Sequence, residues 1–519
     1  MGVIPSSSWL LLAACILVGL LNEISGSVLI LAMPNAAHDI GASREAAQFI
    51  LLAGKLSLGA LILAGGGVGD RFGRNRIMLL GIALVALAAL LSAAARSAGM
   101  LVGARILDGV GNAMVGPLAL ALAIASFPKD MRARVIGLFL GISGAGVAIG
   151  PLAASFLVQW GGWRVGFAAP FILALLGGVA IAFLIGPQHA EPRRPPWDPV
   201  GMLLCIAGLV MLVLSFVLAG SGGWLAPAPL GLLAGALAGL GTFAWWETSR
   251  AAVPLLDPAL LRSREVLVAL TTAVLAAIVL NGTLLPLFYF LQRVHGYGPV
   301  AAVIHILPLV LAAMAVAPMA GGMAERHGRR MVMLSGMVAM AAGAALMAML
   351  TPATGYGMIA ISLMLIGGGT MGAVTPAADL VMATSGAERS GSAAALNGAV
   401  MQIGGAIGIG FLTPTFLAKA LQDFAARMVA RGYSRDEVVE PARRLVDAVR
   451  ESTLDKVPHL PDIPVQMQRD LVDAYAQAFA TGVAHTYVVA GGVALVGCLL
   501  VLAGMRGQVA DRQAPPVRP

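Results

Sequence analysis

Four ionisable residues stand where water is scarce. Glu23, Lys55, Arg105 and Asp108 each fall well inside a long apolar run. An ionised side chain at the centre of a bilayer costs about 2.5–3.5 kcal/mol on insertion scales, so such groups pair with one another or line a water-filled cavity. A carboxyl in such a place can be uncharged part of the time, which is what a proton carrier needs. Arg105 lies one helical turn from Asp108 and can hold it ionised, which leaves Glu23 as the better carrier. Lys55 can neutralise either acid or contact a substrate, and a purely structural ion-pair network is the competing reading for all four. Asn22, Asn112, Asn281, Asn397 and Gln402 are amides inside apolar runs, able to bond between helices or to face a cavity.

The elements that must carry these residues are membrane helices. The chain has 519 residues, 59% hydrophobic and 11% charged, with a mean hydropathy of +0.89, whereas a soluble domain is about 25% charged. Apolar runs of about 20 residues, each long enough to cross a bilayer, recur near 9–33, 46–68, 77–96, 99–126, 133–158, 164–186, 199–219, 228–248, 266–292, 299–322, 331–350, 354–384, 391–416 and 476–505. An even count of fourteen puts both termini on one side. Alternate short connections hold eighteen Lys/Arg against four, with Arg71, Arg132 and Arg330 in the rich set, and the positive-inside rule makes that set and the termini cytoplasmic. The first run lacks the features of a cleaved signal and is expected to stay as the first helix.

The net charge of +8 sits in these short connections with no aromatic-interleaved basic face, so nucleic acid is excluded as a partner. Cys15, Cys205 and Cys498 each lie alone in an apolar run, which argues against disulfides and structural zinc. No HExxH spacing and no GxxxxGK[ST] loop occur, so no metal, cofactor or ATP site is expected, and no enzyme. Asp379, near the cytoplasmic end of the twelfth run, is expected to be a solvated or capping acid. The connection 418–472 carries nine Lys/Arg yet falls outside by parity, as long loops can. It is expected to be a helical hairpin on the membrane surface, with a lid over the outer mouth as the alternative. The tail 507–519 is expected to be disordered.

An internal repeat divides the chain. Residues 66–76 read GGVGDRFGRNR and residues 321–330 read GGMAERHGRR. Gly66, Asp70, Arg71, Gly73 and Arg74 match Gly321, Glu325, Arg326, Gly328 and Arg329 at a constant offset of 255. Each copy follows the second helix of a six-helix set, and paired halves around a midplane site are a transporter architecture. Asp70 ends its helix, where a carboxylate can bond the free N–H groups of a neighbouring helix N-terminus. Gly137/Gly141 and Gly146/Gly150 pair at spacing four, giving smooth faces on which halves can slide, with Pro151 adding a kink.

The stretch 66–76 resembles the GxxxDRxGRxR signature of the major facilitator superfamily. Arg105, Gly109 and Gly111 are similar to its RxxxGxG motif, and Gly146, Gly150 and Pro151 to its GxxxGP antiporter motif. WDPVGMLLCIAGL at 197–209, PLLDPALLRSRE at 254–265 and Asn397 with Gln402 resemble the fourteen-helix drug:proton antiporter branch. Two departures stand out: the branch's acid nine positions before Pro34 is Ser25, and its arginine before Gln402 is Met401.

The resemblance implies an all-α polytopic fold, with a six-helix bundle in 1–186, two additional helices in 187–250 and a second bundle in 251–506. It implies a proton-coupled multidrug efflux antiporter of a bacterial cytoplasmic membrane, monomeric, exchanging protons for a small amphipathic molecule, cationic or neutral. A dedicated exporter of an endogenous metabolite, lipid-like molecule or siderophore is the alternative. The motif around Gly66, Asp70, Arg71, Gly73, Arg74, Glu325 and Arg326 would then be a conformational latch.

Overall fold

A computed structural model describes residues 6–128, 131–144, 146–185, 198–222, 226–250, 260, 262–385, 390–434, 437–438, 441 and 463–505. Among these residues there is no strand. The tail 507–519 and most of the stretch 254–265 lie outside them.

The first half is built from α1 (Ser6–Gly19), α2 (Leu21–Asp39), α3 (Arg44–Phe72), α4 (Arg74–Ala93), α5 (Ala98–Ala125), α6 (Arg132–Gly144), α7 (Gly146–Gly166) and α8 (Ala168–Leu184). Two helices follow, α9 (Pro199–Gly222) and α10 (Pro227–Ser249). The second half comprises α11 (Arg264–Arg293), α12 (Pro299–His327), α13 (Arg329–Met347), α14 (Tyr356–Ser385), α15 (Ser390–Ala430) and α16 (Val465–Gly504). Twelve spans among the described residues are long and apolar enough to cross a membrane, or thirteen if the pair Phe156–Gly166 and Ala168–Leu184, bent by 80°, is counted as one. The apolar stretch of α9, Pro199–Leu212, is shorter than these.

Local signals set the boundaries. Ser43, Ser97 and Ser263 cap α3, α5 and α11, each hydroxyl accepting from a backbone N–H three residues on, so each end has one fewer orphan donor. Gly73 and Gly328 hold φ of 97° and 85° between α3 and α4 and between α12 and α13. A side chain would be strained at either position, which is why both copies of the repeat carry glycine there. Gly162, with φ 78°, breaks α7 at the turn expected between the fifth and sixth runs.

Within the first half α3 packs on α5, α5 on α4, and α2 on α7; in the second α13 packs on α14, α12 on α14, and α11 on α15. The halves meet along two seams near the end that carries Arg71, Arg134 and Arg326, called here the basic end. On one, a Cβ at Gly66 would stand 2.5 Å from the Gly391 carbonyl oxygen; on the other, a Cβ at Gly137 would stand 2.2 Å from that of Ala317. Backbones approach this closely only where glycine leaves them room. The α9–α10 pair lies over the first seam, with Cys205, Leu209 and Phe243 packed among Leu58, Ile62 and Ala395.

At the other, distal end each half has its own tie. Asp39 accepts from Trp163 Nε1 at 2.7 Å and Arg164 Nη1 at 3.3 Å, and Arg164 also donates to the Ala95 carbonyl. In the second half Tyr297 stacks on His305 at 4.0 Å between centroids, flanked by His295 and Tyr356. Burial, with His305 nearby, pushes the His295 imidazole below its ordinary value of 6.5.

Residues 418–430 and 465–472 are direct continuations of α15 and α16, which run for 41 and 40 residues. The described parts of the connection are therefore the ends of two long helices, and most of 435–462 lies outside the described residues. The two helices are joined by the cluster of Met428, Val438, Ile463, Met467, Leu471 and Ala474 and by Arg427 to Gln477 and Arg431 to Asp473, with Asp423 of the same helix holding Arg427.

Candidate functional site

Asp70 reaches from the first half into the second. Its carboxylate accepts from Gly391 N at 3.1 Å, from Ser392 N at 2.9 Å and from Ser392 Oγ at 3.0 Å, and is held from behind by Arg74 Nε at 2.8 Å. These are the free N–H groups of the first turn of α15, where the helix dipole adds to the attraction for a carboxylate. Gly391 makes the approach possible, since a Cβ there would stand 2.5 Å from Asp70 Oδ1. Arg71 is half-buried, with its guanidinium 5.3 Å from the Phe72 ring centroid.

The second copy of the repeat is wired differently. Gly321 repeats the close approach, a Cβ there standing 2.4 Å from the Ala133 carbonyl oxygen of α6. Glu325 and Arg326 are exposed, and Arg329 pairs instead with Asp379 of its own half at 2.7 Å. Asp379 is only 6% exposed. It is therefore a buried ion-pair partner and not the solvated acid expected from its place near the end of an apolar run.

Deep in the first half, Arg105, Asp108 and Ser25 form one buried cluster. Arg105 Nη2 lies 2.5 Å from Asp108 Oδ2, both Arg105 Nη atoms donate to Ser25 Oγ at 3.1 Å, and Ser25 donates to Asp108 Oδ1 at 3.0 Å. All three are at most 4% exposed. The helical-turn pairing of Arg105 with Asp108 is thus present. Ser25, at the position where the resemblance leads one to seek an acid, supplies a hydroxyl to the pair. Asn112 donates to the Asp108 backbone carbonyl and so bonds within its own helix.

Glu23 stands apart from this cluster. Ser25 faces α5, whereas Glu23, two residues away and so across the helix, packs on the glycine face of α7: a Cβ at Gly146 would stand 2.7 Å from Glu23 Cβ, and one at Gly150 would stand 2.5 Å from Ser27 Oγ. The two glycine pairs therefore do different things. Gly137 and Gly141 meet Ala317 and Met314 across the halves, while Gly146 and Gly150 seat α2 inside the first half, with Pro151 following in α7. The Glu23 carboxylate is half-buried and accepts from Asn22 Nδ2 at 2.7 Å; among the described residues no ion pair involves it.

Lys55 is exposed and pairs with neither acid; among the described residues it makes no ion pair or hydrogen bond. Of the other amides, Asn281 bonds the Ala277 carbonyl of its own helix, Gln402 is half-buried on α15, and Asn397 Nδ2 is buried without a hydrogen bond. Among the described residues no cluster of metal-ligating side chains occurs.

Residues 15–409 match the profile of the Major Facilitator Superfamily. The chain belongs to the major facilitator superfamily. It is 34% identical over 412 residues to the puromycin resistance protein of Streptomyces alboniger, covering 78% of this chain and 81% of that one. It is 28% identical to the tetracenomycin C resistance and export protein of Streptomyces glaucescens, over 98% of this chain and 93% of that one. The multidrug efflux pump LfrA of Mycolicibacterium smegmatis is 29% identical over 96% of each chain. Among solved structures, the proton:xylose symporter XylE superposes with a TM-score of 0.59 at 14% identity, covering 96% of this chain and 95% of that one, a likeness of fold alone. As a major facilitator protein the chain is a multi-pass membrane transporter and not an enzyme. The matched residues include the stretch that carries Asp70.

Proposed function

We propose that this protein is a proton-coupled efflux antiporter for small amphipathic molecules, of the fourteen-helix drug:proton branch, with α9 as its seventh span. Its basic end and both termini face the cytoplasm of a bacterial cell. The two bundles, 1–186 and 251–506, rock about the site between them, and the pair in 187–250 follows. The conformer described is then closed to the cytoplasm by the Asp70 contacts, which act as the latch, with Glu325 and Arg326 as its counterpart in the second half.

The observation that carries this reading is the seat of Glu23. It is an acid inside a long apolar run, half-buried, with no cation paired to it among the described residues, resting on the glycine face that resembles the antiporter motif. Deprotonated from the cytoplasmic side, it favours a cationic or neutral amphiphile. After rocking, proton entry discharges it and weakens binding, and this difference in affinity between states gives the exchange its direction. Asp108, already paired with Arg105, is the second candidate. The names of relatives that resist puromycin or export tetracenomycin C favour drug-like cargo.

Dye-quench proton flux in inverted vesicles tests this, with Glu23→Gln beside wild type. A cationic amphiphile should collapse the pH gradient in wild type and fail to do so in the variant. Normal coupling in Glu23→Gln moves the test to Asp108→Asn, and normal coupling in both overturns the assignment.

A further inference from the structure

The stripe by which α3 meets α15 does not stop where the seam stops. On α3 it runs Asp70, Gly66 and Ile62; on α15 it runs Gly391, Ala395 and Gly398, and the contacts pair in antiparallel order. A Cβ at Gly66 meets Gly391 and Ala395, and a Cβ at Gly398 would stand 2.7 Å from Ile62 Cδ1. At 3.6 residues per turn, the next positions toward the distal end on the same two faces are Lys55, two turns before Ile62, and Gln402, one turn after Gly398. Lys55 is exposed and Gln402 half-buried, and among the described residues neither has a hydrogen bond or an ion pair. Continued by helical register, the stripe leads to one lysine from the first half and one amide from the second.

Lys55 is also beside the buried charges without being neutralised by them. A Cβ at Gly54, the preceding residue, would stand 3.5 Å from Arg105 Nη2. Asp108 is already matched by Arg105 and Ser25, and Glu23 faces α7. A lysine inside an apolar span that has no partner among the described residues marks a water-lined space that an anion can enter.

We propose that Lys55 and Gln402 form the subsite for an acidic group of the cargo, so that the substrate class includes amphiphiles bearing an anionic group such as a carboxylate. This rests on the exporter reading and extends its cargo to anionic amphiphiles, held by both halves across the seam that must part. The ammonium pairs with the acidic group and the amide donates to the same oxygens.

The test uses two dyes on one xanthene frame, anionic fluorescein and cationic rhodamine 123, with the purified full-length protein and with vesicles. A charge-assisted contact of this kind carries about tenfold in affinity. Lys55→Met should lower the ratio of fluorescein to rhodamine 123 affinity by about tenfold, Gln402→Leu should lower it less, and Lys55→Arg should restore it. An unchanged ratio in Lys55→Met, or no fluorescein binding by wild type, overturns the subsite. If rhodamine 123 moves protons in wild-type vesicles while the ratio ignores Lys55, the subsite falls and the exporter stands. If fluorescein binds through Lys55 but neither dye moves protons, the exporter reading falls and the subsite stands.

Discussion

Gly146 and Glu23 share one contact surface: a Cβ on the glycine would lie 2.7 Å from the glutamate's own Cβ, closer than two such carbons can pack. The glycine of the GxxxGP stretch is thus the floor on which the candidate proton carrier rests, and a side chain there displaces α2 or the acid. Gly146→Ala should cost about 1–3 kcal/mol as an overpacking change and lower proton-coupled flux. Gly144→Ala should do neither, because a Cβ at Gly144 meets nothing within 4 Å. Thermal unfolding in detergent and dye-quench flux, measured on both variants, check the pair.

Replacing Asp70 by Asn removes the charge that α15 presents its first-turn N–H groups to. The loss of charge-assisted bonds at a helix N-terminus should weaken the closed seam by about 1–3 kcal/mol, and Ser392→Ala by less. Ala395 is fully buried in that seam. A single cysteine at Ala395, with Cys15, Cys205 and Cys498 replaced, should react about tenfold faster with a membrane-impermeant maleimide in the Asp70→Asn background. Equal rates would mean the carboxylate does not hold the seam.

Arg105 and Asp108 should behave as a unit. Arg105→Ala leaves a buried carboxylate without its cation, which typically costs about 3–5 kcal/mol, and should appear as poor expression and a lower Tm. Exchanging the pair for Met and Leu together should recover much of the stability while losing transport if the cluster takes part in it. A double-mutant cycle on Tm reads the coupling.

The ring stack at the distal end should be sensitive to acid. Because His295 is held below its ordinary value of 6.5, the docked state carries fewer protons than the undocked one. Its contribution is therefore complete above about pH 6.5 and lost as pH falls from there through the lowered value. Hydrogen exchange of Val294–Tyr297 at pH 7.5 and 5.0 should show protection lost at the lower pH in wild type, and no such pH dependence in His295→Phe.

The all-helical, many-span fold was legible in the residues, because apolar runs report directly on spans. The i to i+3 pairing of Arg105 with Asp108 was legible for the same reason, since it lies within one helix. Ser25 was not, because its partnership with residues 80 and 83 positions away depends on how α2 rotates against α5. Asp379 misled for a related reason: its place near the end of an apolar run suggested solvent, yet Arg329 from the neighbouring helix buries it. The two glycine pairs look alike in sequence, and only packing separates Gly137 at the seam between halves from Gly146 inside one half. Lys55 carried a signal of its own, a charge in an apolar run, but its direction came from the neighbouring contacts of Ile62 and Gly66.

The helix that begins under Asp70 is the same one that ends in the Met428 cluster. Over 41 residues it is about 60 Å long, anchored by a carboxylate at the tip opposite that cluster. A tilt of about 10° at the anchored tip would carry the free tip sideways by about 10 Å. The protein thus has a lever whose handle is the Met428 cluster, and a binder that grips the handle would jam a joint it never touches.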